Sequence, residues 1–551
     1  MRNITKFVVT SILTATFFAS QANAESKVRL VVTKDDSTSV SAMSFGKDSN
    51  NISKRYDVVE VKTDNVDAEI ARLKMQEGVQ NVEISYPASI PKPIKQESAF
   101  MPGIVSSSAS SSVPNDSFYL DQYSWQDYTS TYKGQSNIEK AYVKATVNKK
   151  VNVAVLDSGF RNTTDMTWTD GYNFSTIDLP TGRDNYLDYD PDSCTAAHGQ
   201  AVGEIIGATT NNAYGMAGIV DADMYAVRVL GCNNSGFLDE AAEGLRWAAG
   251  DPSVNADNPI GVEIDVVNMS LGAQIDYCPT YMQEAIDYAV GKGITVVVAA
   301  GNNSVDASNF TPANCENVIN VGAVTRRGEQ SDFSNYGSKV DVSALGSVVL
   351  SAGTNPDSDY SYWFGTSFAA PIQTGIIAMG LGLDPSLTPN EIEGLVKQHT
   401  NPLSSTPNYM GTGVIDALSF YNAVEDGIVV QDVTMESILK TGERCTTSLY
   451  VNNDLIKACE IFEVSVDSFE KTESEYYVVF EVPEGQSMLT SNGSVVASST
   501  ESTFLLKDVD ITASNYGVQV CSDAAGTSCD SGVLVDLKDD EIDLPADCSS
   551  L

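Results

Sequence analysis

The chain runs to 551 residues and carries 73 acidic against 33 basic residues, a formal net charge of −40. Such a charge argues against nucleic acid and anionic membranes as partners and favours solubility. Nine cysteines and two histidines narrow the chemistry further, because no C-x-x-C pair or His-rich cluster points to zinc.

Residues 1–24 read as a secretory signal peptide of bacterial type: Arg2 and Lys6, an apolar run from Phe7 to about Ala19, then Ala22-Asn23-Ala24 before Glu25. No later stretch reaches the roughly 18 apolar residues of a membrane span, so a soluble, extracellular protein is expected. Export makes disulfides the natural use of the cysteines. Their spacing suggests Cys194 with Cys232, Cys278 with Cys315, Cys445 with Cys459 and Cys521 with Cys529, leaving Cys548 over.

Residues 25–112 form the next segment. "VRLVVTK", "YDVVEVKT" and "VQNVEISYP" have strand patterning, and "DAEIARLKMQEG" has helical patterning, which predicts a small α+β unit ending near Pro87. A Pro- and Ser-rich stretch follows, "IPKPIKQESAFMPGIVSSSASSSVPND", and its composition marks an exposed linker open to proteolysis.

Between residues 113 and 424 apolar runs alternate with helical segments. "VNVAVL", "DMYAVRVL", "IDVVNMSL" and "GITVVVAA" read as strands buried on both faces, with "HGQAVGEIIGATT", "LDEAAEGLRWAAG" and "TYMQEAIDYAVGKG" as helices between them. This alternation predicts an α/β fold: a parallel sheet covered by helices through right-handed crossovers. Residues 425–551 change character again, to short alternating strands with 25 acidic and 6 basic residues. That pattern predicts a separate acidic β-sandwich.

Three residues in the α/β segment are candidates for hydroxyl-nucleophile chemistry. Asp157 ends the strand "VNVAVL", at the carboxyl end where a parallel sheet delivers functional side chains. His198 opens a helix 41 residues later, and Ser367 opens another in "GTSFAAP". Alone, each has a plain structural reading: a turn aspartate, a helix-opening histidine, an N-cap serine. Together, "VAVLDSG", "HGQAVG" and "GTSFAAP", in the order Asp, His, Ser, resemble the subtilisin-like serine peptidases; chymotrypsin-like enzymes run His, Asp, Ser and α/β-hydrolases Ser, Asp, His. "VVVAAGNNS" adds Asn302 where that family places an oxyanion-hole asparagine, and "NMSLGA" resembles its substrate-binding strand.

The resemblance implies a secreted serine endopeptidase of broad specificity, with protein and peptide substrates and a subtilisin-like fold. Ser367 would be the nucleophile, His198 the general base, Asp157 its orienting partner and Asn302 an oxyanion donor. Ser270, Leu271 and Gly272 would pair with an extended peptide, while Ala300 and Gly301 would flank the pocket for the residue before the cut, with Phe310 near its base. The front unit resembles the family's inhibitory propeptide, so the chain's own propeptide becomes a partner, with self-cleavage expected between Glu97 and Pro114. A monomer is expected, and no cofactor is needed for catalysis. The family often holds structural Ca²⁺, for which the acid-rich "DNYLDYDPDSC" is a candidate loop, without assigned ligands.

Two departures stand out. Gln200-Ala201-Val202-Gly203-Glu204 replaces the family's usual Thr, His, Val, Ala, Gly after the active-site pair His-Gly, and Phe368 replaces the Met that usually follows the nucleophile. His399 matches no motif and reads as a helix C-terminal or surface residue. Two rival readings compete: a catalytically silent binding protein using its β-domain, against which the complete Asp157, His198, Asn302 and Ser367 set argues, and a selective processing enzyme.

Overall fold

A computed structural model describes residues 27–34, 49–51, 55–63, 65–90, 97–98, 113–146, 148–187, 197–254, 259–353, 359–404 and 408–427, together with strands between 444 and 535. Residues 49–51, 97–98 and the strands from 444 onward are described by their backbone alone. The expected signal peptide, the Ser-rich stretch 99–112, most of the acid-rich loop and Cys194, Cys529 and Cys548 lie outside these residues.

The chain divides after Ser85 into two compact units. In the first, β1 (Lys27–Lys34), β2 (Ser49–Asn51), β3 (Tyr56–Lys62) and β4 (Val79–Ile84) form an antiparallel sheet in the order β2-β3-β1-β4. Helix α1 (Val66–Lys74) begins where the Asn65 side chain accepts the Ala68 N–H, and Asp67 and Glu69 favour its positive end. Leu30, Val32, Val59, Leu73 and Val82 make the core between sheet and helix. Strands β1, β3 and β4 and helix α1 fall on the stretches whose patterning reads as strands and helix, whereas β2 has no counterpart in that reading.

The second unit begins with β5 (Pro87–Ser89) and β6 (Glu97–Ser98). Its main elements are α2 (Ile138–Lys144), β7 (Val151–Asp157), β8 (Asp170–Asn173), α3 (His198–Gly207), β9 (Ala222–Arg228), β10 (Ser235–Phe237), α4 (Leu238–Ala248), β11 (Val266–Met269), α5 (Thr280–Gly291) and β12 (Thr295–Ala299). There follow β13 (Ile319–Val324), β14 (Val342–Leu345), β15 (Ser347–Ala352), β16 (Tyr360–Phe364), α6 (Thr366–Leu383), α7 (Pro389–Gln398), β17 (Thr400–Asn401), β18 (Val414–Ile415) and α8 (Ala417–Glu425). The central sheet runs β17-β18-β14-β13-β12-β11-β7-β9-β8, parallel throughout except for the edge pair β17-β18.

The strand order locates the site. From β7 the chain runs out to the edge strand β8, comes back one place to β9, and then passes β7 to reach β11 on its other side. Helix α3, between β8 and β9, packs with α6, helix α4, between β9 and β11, packs with α5, and the carboxyl ends of β7 and β11 meet at the point where the strand order reverses. Register pairs Leu156 with Met269, so Asp157 and Ser270 leave adjacent strands side by side.

Helix α6 packs beneath this point. It is the one helix among the described residues long and apolar enough to cross a membrane, yet 94% of that window is buried inside the fold, as in a core helix. Among the described residues beyond 443 only strands occur, in two four-stranded antiparallel sheets and a short hairpin. Between the strands Gln486–Ser491 and Ser494–Ser499, Asn492-Gly493 is a strong hairpin signal in the sequence.

The structure joins Cys278 to Cys315, as spacing suggested. Cys232 is also disulfide-bonded, and Cys445 stands opposite Cys459 in strand register. His399 closes α7 but is only 8% exposed, so it is a buried helix terminus rather than a surface residue. Burial lowers its pKa below 6.5, with the nearby Asp416 opposing that shift, and its Nδ1 shares a hydrogen bond with the Ser419 hydroxyl at 2.8 Å. The unfolded chain thus takes up a proton near pH 6.5 that the folded imidazole resists. Its stability contribution is present above that pH and lost as pH falls through the folded value. Replacing His399 with Gln is expected to flatten this acid limb in thermal melts between about pH 7 and 5.

Candidate active site

Asp157 is fully buried and its carboxylate is held by short contacts. Its Oδ1 accepts the Ser158 N–H at 2.7 Å, and both oxygens lie near His198 Nδ1, at 2.8 and 2.9 Å. An ionised carboxylate there fixes the proton on Nδ1 and leaves Nε2 as the basic nitrogen. His198 reaches this position because α3 starts against β7: Gly199 N–H donates to the Ser158 carbonyl at 2.7 Å. A Cβ on Gly199 would stand 2.2 Å from that carbonyl oxygen, so only glycine allows the approach.

Ser367 sits at the start of α6 with 1% of its surface exposed. Its hydroxyl lies 3.4 Å from the Ser270 carbonyl, to which it donates. Pro371, four residues on, has no N–H to bond the Ser367 carbonyl, and the Ser270 hydroxyl takes that place at 2.9 Å. Asn268 donates to Ser270 Oγ at 2.9 Å and accepts from Thr374 of α6 at 3.0 Å, which ties the strand end to the helix.

The third strand end bears Asn302. After β12, the Asn302 side-chain carbonyl accepts both the N–H and the hydroxyl of Thr366, at 2.9 and 2.8 Å. This fixes the amide so that Nδ2 points away from Thr366, buried and without a hydrogen-bond partner. A buried amide donor left unpaired costs on the order of 1–3 kcal/mol, which a developing oxyanion can recover. A Cβ on Gly365 would stand 3.0 Å from that nitrogen.

Asn335, which nothing local in the sequence marks, holds the same loop: it donates to the Ala300 carbonyl at 2.8 Å and accepts the Asn303 N–H at 2.9 Å. Thr366 was likewise missed, though its place between Gly365 and Ser367 could have suggested it. Phe310 is buried, and its ring packs where a Cβ on Gly272 or Gly301 would fall.

An extended stretch of the chain runs between β10 and the Leu271–Ala273 edge. Strand β5 pairs antiparallel with β10, the Leu238 N–H donates to the Tyr86 carbonyl, and the Ile90 N–H to the Asn234 carbonyl at 3.2 Å. On the other side Ser89 and Gly272 exchange both backbone hydrogen bonds at 3.0 Å. Strand β6 then pairs with β16, the strand leading into Ser367.

Both departures from the family pattern are filled by packing. Gln200 Oε1 accepts from the Arg161 N–H at 3.1 Å and the Trp168 indole at 2.9 Å, and its amide donates to Glu204 at 3.0 Å. Phe368 stands edge-on to the His198 ring at 5.3 Å and stacks on Trp363 at 5.0 Å, so the imidazole has an aromatic wall. Among the described residues no group of three or more His, Cys, Asp or Glu side chains is placed to hold a metal ion.

A sequence model of the subtilase family matches residues 148–416. An extracellular protease of Xanthomonas campestris pv. campestris is 35% identical over 361 residues, which are 60% of this chain and 61% of that protein. The chain thus spans about three fifths of that relative's length. A thermophilic serine proteinase of Bacillus sp. (strain AK1) is 36% identical over 321 residues, covering 56% of this chain and 69% of its own. A solved protease structure from Pseudoalteromonas arctica superposes with a TM-score of 0.52 at 34% identity, covering 57% of this chain and all of its own.

Proposed function

Because the chain belongs to the subtilase family, we propose that it is a secreted serine endopeptidase that hydrolyses peptide bonds in extracellular proteins. The observation that carries this reading is the unpartnered, buried Asn302 amide beside the helix start that bears Ser367, with the Asp157–His198 pair completing the set. In the reaction, His198 Nε2 takes the Ser367 proton as Oγ attacks the scissile carbonyl. The oxyanion is met by Asn302 Nδ2 and by the Ser367 N–H at the α6 terminus. His198 then gives the proton to the leaving amine, and water repeats the sequence to release the acyl group. Gly272 pairs with the substrate backbone, which sets register with little demand on side chains.

The segment Tyr86–Ile90 lies as such a substrate would, with Ser89 paired to Gly272. This supports the reading of the front unit as a propeptide that inhibits and is then cut away. On that reading the junction falls between Ile90 and Glu97, upstream of the window from Glu97 to Pro114 that the resemblance and the linker composition suggested. The test is the N-terminus of the secreted protein. A wild-type product beginning between residues 91 and 97, together with a Ser367→Ala product that keeps the front unit and leaves casein intact, supports the proposal. A Ser367→Ala product trimmed at the same bond and active on casein refutes it.

A further inference from the structure

Burial alternates along the docked segment: Ala88 and Ile90 are buried, Pro87 and Ser89 exposed. Side chains at 86, 88 and 90 therefore share the inward face of the extended strand. Tyr86, the outermost of the three, meets Tyr277: the ring centroids are 6.1 Å apart, the planes cross at 81°, and the two hydroxyls are hydrogen-bonded at 3.0 Å.

Tyr277 lies beyond the Ser270–Gly272 edge, on a stretch pinned at several points. Ala273 and Thr311 exchange backbone hydrogen bonds at 2.9 Å, and Thr311 Oγ1 donates to the Tyr277 carbonyl at 2.8 Å. Asn314 donates to the Ile275 carbonyl at 3.0 Å, and the Cys278–Cys315 disulfide closes the stretch at its far end. The backbone carrying the ring is thereby held, yet Tyr277 keeps 43% of its surface exposed and remains reachable by a passing chain.

Resting on the endopeptidase reading, we infer that Tyr277 is a specificity residue, an outlying subsite that selects an aromatic side chain three residues N-terminal to the substrate residue paired with Gly272. An edge-to-face ring contact is the main attraction, and the exposed phenol pair, which competes with water, adds less. Tyrosine is therefore preferred, then phenylalanine, then aliphatic residues. A wall presented on a pinned backbone costs less ordering on binding than a mobile loop would.

The test uses the processed secreted protein and two internally quenched peptides spanning residues 84–100, one natural and one carrying Tyr86→Ala, with the cut bond located by mass spectrometry. The natural peptide is expected to be cleaved with kcat/KM roughly 2- to 12-fold higher. Tyr277→Ala should treat both peptides alike, and Tyr277→Phe should keep most of the preference. A protein that hydrolyses casein but cleaves the two peptides equally, or cleaves neither, overturns the subsite and leaves the peptidase reading standing. A processed protein inert toward casein and both peptides removes the two together.

Discussion

Ser367→Ala and His198→Ala are each expected to lower kcat about 10⁶-fold, the size of the corresponding losses in subtilisin, a relative. The geometry explains why the two losses should not add. On the proposed mechanism His198 accepts the Ser367 proton and passes it to the leaving amine, so removing either group disables the same proton relay, and the double variant should be no slower than either single one. Asp157→Ala is expected to cost less, about 3 × 10⁴, again the subtilisin figure. Its loss leaves Nδ1 without the carboxylate 2.8 Å away that fixes the tautomer, but His198 stays in place on α3. Single-turnover kinetics on a short chromogenic peptide, with melting temperatures alongside, separate these effects from misfolding.

The second large effect falls on the anion site. Asn302→Leu should lower kcat about 10²–10³-fold, a range also set by subtilisin, while KM changes little, because the lost donor serves the tetrahedral state and not the bound substrate. Thr366→Val tests how the donor is aimed. It removes the hydroxyl that bonds Asn302 Oδ1 at 2.8 Å but keeps the N–H at 2.9 Å, so the amide is loosened and not released. About a tenfold loss in kcat is expected, the worth of one neutral hydrogen bond of about 1–1.5 kcal/mol. An effect confined to KM in either variant would place Asn302 in ground-state binding instead.

Much of this was legible in the chain because the relevant signals are local. Doubly buried parallel strands write themselves as apolar runs such as "VNVAVL", and Asp157, His198, Asn302 and Ser367 sit at element ends where such a sheet delivers side chains. The small front unit was legible for the same reason, through period-two strands and one amphipathic helix. Contacts between distant segments were not. Asn335 lies far along the chain from the loop it holds, and Ser270 takes over the carbonyl that Pro371 leaves free only once β11 and α6 meet. The docking of Tyr86–Ile90 was equally hidden, since the stretch reads as the end of one strand at Pro87 and the start of a linker at Ile90 until its partner edges at Asn234 and Gly272 are in place. For His399 the surface alternative fails because polarity in sequence says little about a helix terminus covered by a following helix.

The central claim is that Ser367 is an activated nucleophile in an assembled site. The most direct measurement treats the processed secreted protein with a fluorophosphonate and locates the adduct by peptide mass spectrometry, with His198→Ala alongside. Stoichiometric labelling at Ser367, lost in the variant, is the predicted result. A folded, processed protein that takes up no label, or is labelled as readily without His198, would contradict the account.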